Sequence, residues 1–290
     1  MSLITLKEML ADARNRYAVP MFDVSDTAMI RAAVEIAEEQ KSPVILGALE
    51  PDIAGIGLEY WSTIAKIAAK NASVPVCIHL DHAINLDQIT RCADAGFSSV
   101  MIDASAENFD VNVTRTKEVC EAMQKRGISV EAELGHVGDG IPGTGESAVT
   151  AHEDASDSLT EPDKVAEFIE RTGVDALAVA IGTAHGVYVS TPTLEIELLK
   201  KINQISSIPL VLHGGSGTPG DQLEKAIANG ICKINIFSEL LNAWNSSMLE
   251  VLKDLRNMSS WPTVVRAKSD AALRQVVREK IIAFGSNGKA

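Results

Sequence analysis

Three of the chain's six histidines close or follow apolar runs: His82 in PVCIHLDHA, His185 just beyond ALAVAIG, and His213 at the end of PLVLHG. Three imidazoles brought to one place leave the fourth position of a tetrahedral ion open, a ligand set that suits zinc with a free site for water or substrate. Asp81, beside His82, would be kept charged by such an ion and could still pass a proton to or from an oxygen bound there. It could equally orient a ligand imidazole by accepting its N–H. Taken singly, each histidine also fits a hydrogen-bonded core or rim role. His79 faces the side opposite His82 in a regular strand, so it reads as an interior or supporting residue.

A second chemistry is written in LHGGSGTPGDQLEKAI (212–227), a strand, a glycine-rich turn and a helix starting near Pro219. Backbone N–H groups in such a turn cradle phosphate. KINIFSEL (233–240) supplies a second loop, with Ser238 placed to cap the following helix and to offer its hydroxyl and N–H to the same anion. Simple tight turning is the alternative use of these glycines.

These residues need strands to carry them. Eight apolar runs recur, beginning at Val19, Pro43, Pro75, Ser99, Ser129, Ala176, Pro209 and Cys232. Most are continuous rather than alternating, as parallel strands covered on both faces must be. Between them lie helical patterns such as 27–40, 112–127 and 162–173, with Pro162 suited to a first turn and Gly127 and Gly173 to helix ends. The alternation predicts a (β/α)8 TIM barrel forming one domain over residues 1–290. No G-x-G-x-x-G follows the first strand, which argues against a dinucleotide-binding sheet. In a barrel the strands' carboxyl ends carry the chemistry, and Asp81, His82, Glu133, His185, His213 and Asn235 all fall at or near such ends. Residues 135–161, polar and glycine-rich, read as an active-site loop or, alternatively, a disordered insertion; 257–269 reads as irregular, before a final helix at about 270–284.

Composition narrows the partners. With 290 residues, 46% of them hydrophobic, the chain can bury a large core. Its net charge of −13, without long runs of one sign, argues against nucleic acid or an anionic membrane as the main partner. The four scattered cysteines read as reduced core residues, and no apolar run reaches membrane-spanning length. A cytoplasmic protein with a small-molecule substrate is the expectation.

In combination, HLDH, GTAHG and LHGGSG, together with YAVPMFDV, VMIDAS, VEAELG, KINI and the terminal FGSNGKA, resemble the class II, zinc-dependent fructose- and tagatose-bisphosphate aldolases across nearly the whole chain. The resemblance implies metal-dependent, reversible cleavage of a ketose 1-phosphate or bisphosphate into dihydroxyacetone phosphate and an aldehyde, through a zinc-stabilised enediolate. It implies zinc on His82, His185 and His213, Glu133 as a ligand of an alternate or second ion, and Asp81 as the acid/base. Phosphate would bind Gly186, Gly214, Gly215, Ser216, Asn235, Ile236, Phe237 and Ser238, beside Na+ or K+, in a homodimer or homotetramer.

The chain also departs from the family pattern. Asp23 stands where members commonly carry Asn, Leu49 where a serine follows the second strand, and Val189 where a lysine is frequent. The loop glutamate that exchanges the carbon-bound proton is replaced near Ile141 and Pro142, leaving Asp139, Glu146 or Glu153 as stand-ins. Arg274 and Arg278 are candidates for gripping a distal anion. Three rival readings remain at this point: a Schiff-base aldolase using Lys233, a metal-dependent hydrolase, and a non-catalytic sugar-phosphate sensor.

Overall fold

A computed structural model describes residues 2–141, 158–188, 190–255 and 259–290. Its strands are β1 (Val19–Asp23), β2 (Val44–Ala48), β3 (Val76–Ala83), β4 (Ser99–Ile102), β5 (Ser129–Leu134), β6 (Ala176–Val179), β7 (Leu210–Leu212) and β8 (Ile231–Ile236). All pair in parallel, each with its sequence neighbour, and β8 closes on β1 through Met21 and Asn235. The helices are α1 (Leu6–Leu10), α2 (Thr27–Gln40), α3 (Glu50–Ile56), α4 (Leu58–Asn71), α5 (Leu86–Ala95), α6 (Phe109–Met123), α7 (Pro162–Thr172), α8 (Ile196–Ile205), α9 (Gly220–Ala228), α10 (Ser238–Asp254), α11 (Pro262–Val265) and α12 (Ala267–Ala283). The expected (β/α)8 barrel is the observed fold.

Every strand residue is buried, which explains why the runs read as continuously apolar. One apolar layer fills the space between strands and helices; Trp61 lies in it, stacked 5.2 Å from Phe97 and donating to the Val24 carbonyl at 2.8 Å. A second, smaller cluster occupies the barrel's interior, where Val19, Met21, Ile45, Cys77 and Val211 meet Leu6, Met9 and Leu10 of α1. Burial of Leu6 and Leu10 contributes roughly 1.5–3 kcal/mol each. Thr5 and Glu8 form a capping box on α1. Above this apolar floor the interior turns ionic, with His79, Asp81, Glu131, Glu133, His213, Lys233 and Asn235 all buried.

Gly127 and Gly173 end their helices at φ 72° and 70°, the left-handed geometry that favours glycine. Two boundaries differ from the sequence expectation. The stretch read as irregular holds α11, opened by Pro262 in its first turn, and the final helix starts at Ala267. Strand β3 is not regular: its register on β4 jumps from Leu80↔Val100 to Ala83↔Ile102, so three steps on β3 meet two on β4. His82 sits in this bulge at φ 45°.

Candidate active site

The bulge overturns the period-two reading of His79 and His82. Both imidazoles lie inside the barrel: His79 beside Asp81 and Glu131, His82 against His185 and His213. The three expected ligands converge, with ring centroids 5.0 Å apart for His82–His185, 4.6 Å for His82–His213 and 5.8 Å for His185–His213. One nitrogen of each lies within 4.8 Å of the others. His82 Nδ1 is 2.8 Å from Asp103 Oδ2, which leaves Nε2 as its ligating nitrogen. His213 places Nε2 3.0 Å from Glu131 Oε1 and Nδ1 3.0 Å from Glu133 Oε2. The backbone of His185 is fixed by two bonds to the start of the loop after β5: its N–H reaches Gly138 O at 2.8 Å, and its carbonyl accepts Gly140 N–H at 2.9 Å.

Electrostatics separates the histidines. Burial, with His82 and His213 nearby, holds His185 well below its ordinary pKa, in the neutral form a metal takes. Burial and His82 also press on His213, but hydrogen bonds to Glu131 and Glu133 outweigh them and raise it to about 9. Buried nitrogen donors with orienting carboxylates are the chemistry of a zinc site. Glu133 belongs to a second group with His82 and Asp103, also within 4.8 Å of one another.

Asp81 accepts from Asn235 Nδ2 at 3.0 Å, and its Oδ1 lies 3.6 Å from His79 Nε2. Burial alone would raise its pKa; His82, the His79 contact and Lys233 outweigh that and hold it well below the usual carboxylate range. Asp23 goes the other way. Burial first, then Asp81 and Asp52, push its carboxyl well above the usual range, and Oδ1 has no hydrogen-bond partner. The upward shift favours the uncharged carboxyl at a position where the resemblance expects an uncharged amide. Only glycine fits opposite it, since a Cβ on Gly47 would come 2.2 Å from Asp23 Oδ1. Leu49 is buried and donates its N–H to Asp52 Oδ2 at 3.1 Å.

The glycine turn is tightly built. Gly214 has φ 63°, and a Cβ there would meet Ala184 O at 2.3 Å. Gly215 donates its N–H to the Asn235 carbonyl at 3.1 Å, which ties the two expected phosphate loops together. Tyr188 Oη donates to Gly214 O at 2.7 Å and accepts Ala184 N–H at 3.1 Å; Gly186 lies on the same loop. Ser238 does not cap α10. It is the first helical residue, Phe237 holds the cap position, and Ser216 Oγ accepts the N–H groups of Phe237 and Glu239 at 3.1 and 3.3 Å. Ile236 is the last residue of β8, paired with Phe22.

Other expected residues fall elsewhere. Arg274 and Arg278 of α12 pair with Glu35 and Glu39 of α2. Lys233 is fully buried with Nζ 2.9 and 2.8 Å from the two Glu131 oxygens, a placement at odds with a Schiff-base nucleophile. Asp139 bridges to His185 along the backbone, while Glu146 and Glu153 lie outside the described residues. Sequence reasoning missed Asp103 and Glu131. Asp103 directly follows a strand, and Glu131 shares a strand face with Glu133, signals that could have found both.

A closed (β/α)8 barrel with imidazoles and carboxylates gathered at the strands' carboxyl ends is a barrel enzyme by architecture. The family model described as "Fructose-bisphosphate aldolase class-II" matches residues 4–289, and the chain belongs to that family. A fructose-bisphosphate aldolase from Geobacillus stearothermophilus is 39% identical over 299 residues, covering 100% of this chain and 99% of the relative. A 6-phospho-5-dehydro-2-deoxy-D-gluconate aldolase from Bacillus licheniformis is 37% identical over 298 residues, covering 100% and 97%. The crystal structure of the YdjI aldolase from Escherichia coli K12 superposes with a TM-score of 0.85 at 37% identity, covering 99% of both chains. The protein is an aldolase, a carbon–carbon lyase acting on ketose phosphates, and the hydrolase and sensor readings fall away.

Proposed function

We propose that this single barrel domain splits a ketose 1-phosphate, with or without a second phosphate, into dihydroxyacetone phosphate and an aldehyde, and runs the reverse condensation. The observation that supports this most is the convergence of His82, His185 and His213 beside the buried carboxylate of Asp81. His82, His185 and His213 would hold zinc, with Glu133 within reach as a ligand of an alternate or second ion. When bound, zinc polarises the ketone carbonyl and its neighbouring hydroxyl.

Asp81, held charged, takes the proton from the hydroxyl of the carbon that becomes the aldehyde as the adjacent C–C bond breaks. The electron pair of that bond passes to the phosphate-bearing half, which is then protonated on carbon; Asp139 and Glu146 are the loop candidates for that proton. Asn235 orients Asp81 through its 3.0 Å bond. The turn at Gly214, Gly215 and Ser216, with Gly186 and the start of α10 at Phe237 and Ser238, would take the phosphate, with Na+ or K+ beside it. A cytoplasmic homodimer or homotetramer completes the reading.

The test is dihydroxyacetone phosphate release, detected by a coupled assay over ketose 1-phosphates, ketose bisphosphates and 6-phospho-5-dehydro-2-deoxy-D-gluconate, with chelator and with zinc restored. Chelator-sensitive release from one member is the expected result. No release from any with zinc loaded would overturn this substrate assignment.

A further inference from the structure

The loops that follow β6 and β7 touch each other, and one side chain is shared between them. Ala184 precedes His185 and Gly214 follows His213, so each adjoins a ligand of the proposed zinc site. Their backbones are in contact, since a Cβ on Gly214 would lie 2.3 Å from Ala184 O. Tyr188, half-buried and just beyond His185, reaches back over both. Its Oη donates to Gly214 O at 2.7 Å and accepts Ala184 N–H at 3.1 Å. Its ring lies against Gly217, where an added Cβ would be 3.2 Å from Tyr188 Cδ2.

Packing does not require the oxygen, because a phenyl ring would cover Gly217 as well. A phenol is both donor and acceptor, so it holds a carbonyl of one loop and an N–H of the other at once. Thr218 offers the contrast. Its Oγ1 donates to the same Gly214 carbonyl at 3.1 Å and lies 3.2 Å from Tyr188 Oη, closing the turn on itself rather than onto Ala184.

We propose that Tyr188 is a positioning residue that couples the two halves of the site. An anion seated on the turn at Gly214, Gly215 and Ser216 steadies Gly214 O. Tyr188 passes that constraint to Ala184 N–H, and the backbone carrying His185 is held where a ligand must stand. The inference rests on the proposed zinc and phosphate sites and adds a link between them. By linkage, an anion that tightens zinc binding is itself tightened by zinc to the same factor. Attraction between the opposite charges supplies part of that factor in any protein. The part carried by the hydroxyl vanishes with the hydroxyl.

The test is zinc affinity by chelator competition on full-length protein, with and without inorganic phosphate, read as the ratio of the two affinities rather than as turnover. Tyr188→Phe should lower that ratio about 2- to 10-fold, the worth of one hydrogen bond, while still binding each ligand alone. Thr218→Val, which removes a hydroxyl from the same carbonyl, should keep the wild-type ratio. An unchanged ratio in Tyr188→Phe, or an equal loss in Thr218→Val, would overturn the proposal. If Tyr188→Phe does not fold, amide exchange in zinc-free wild-type protein decides: phosphate that slows exchange at Ala184 N–H supports the link, and unchanged exchange overturns it. Wild-type protein that binds no zinc, or no phosphate, would refute the underlying site reading and the proposal with it, a failure told apart by titrating each ligand alone.

Discussion

Zinc binding should depend steeply on pH across a range where ordinary histidines are already neutral. The perturbation is the proton on His213, whose imidazole is held between Glu131 and Glu133 at 3.0 Å from each and is raised to about 9. A protonated Nδ1 cannot ligate, so zinc must displace that proton, and each pH unit below about 9 weakens apparent affinity up to tenfold. At about pH 7 the loss relative to the high-pH limit is about 100-fold, or roughly 2.7 kcal/mol. His185, already neutral through burial, adds nothing to the slope there. The assay is chelator competition at a series of pH values, joined to calorimetry in buffers of different ionisation enthalpy to count protons released. The expected result is a slope near one in log affinity against pH, levelling off near 9, and flattened in Glu133→Gln. Affinity that is level from about pH 7.5 upward would refute the reasoning, because an unperturbed imidazole near 6.5 gives that curve.

Asp81→Asn should lower kcat by about 10²- to 10⁴-fold, with zinc still bound, as kinetics beside metal analysis would report. Asp103→Ala removes the carboxylate 2.8 Å from His82 Nδ1 and should weaken zinc binding about 10- to 100-fold by chelator competition. Asp23→Asn should retain activity and, in metal-free melts, raise Tm above wild type at neutral pH. The sign follows from a raised folded-state pKa: the stability tied to the protonated carboxyl is lost as pH rises through that value, so the gap should close on acidification toward the unfolded value. Leu10→Ala opens the floor of the barrel interior and should cost about 2–5 kcal/mol in denaturant unfolding.

The fold was legible because the strands are buried on both faces and most of them read as nearly continuous apolar runs, while Gly127 and Gly173 mark helix ends that only a left-handed residue can close. The convergence of His82, His185 and His213 was legible because strand ends are where a barrel puts polar side chains. What failed was long-range. Nothing local says that Ser216, 22 residues away, caps α10 in place of Ser238, or that Arg274 and Arg278 pair with α2. The partners of Asp103 and Glu131 lie 21 and 82 residues distant, so their roles exist only once the barrel closes.

The bulge at His82 has a consequence for how such sites are recognised and transplanted. Two neighbours on a regular strand point to opposite faces, so a pattern search that respects strand periodicity would discard Asp81 and His82 as a functional pair. Adjacency is what the extra residue makes possible: the proposed proton carrier and the proposed ligand share one peptide unit, and their separation is set by covalent geometry instead of by packing. Grafting HLDH onto a strand without the bulge and the positive φ of His82 would carry over the letters and lose the site.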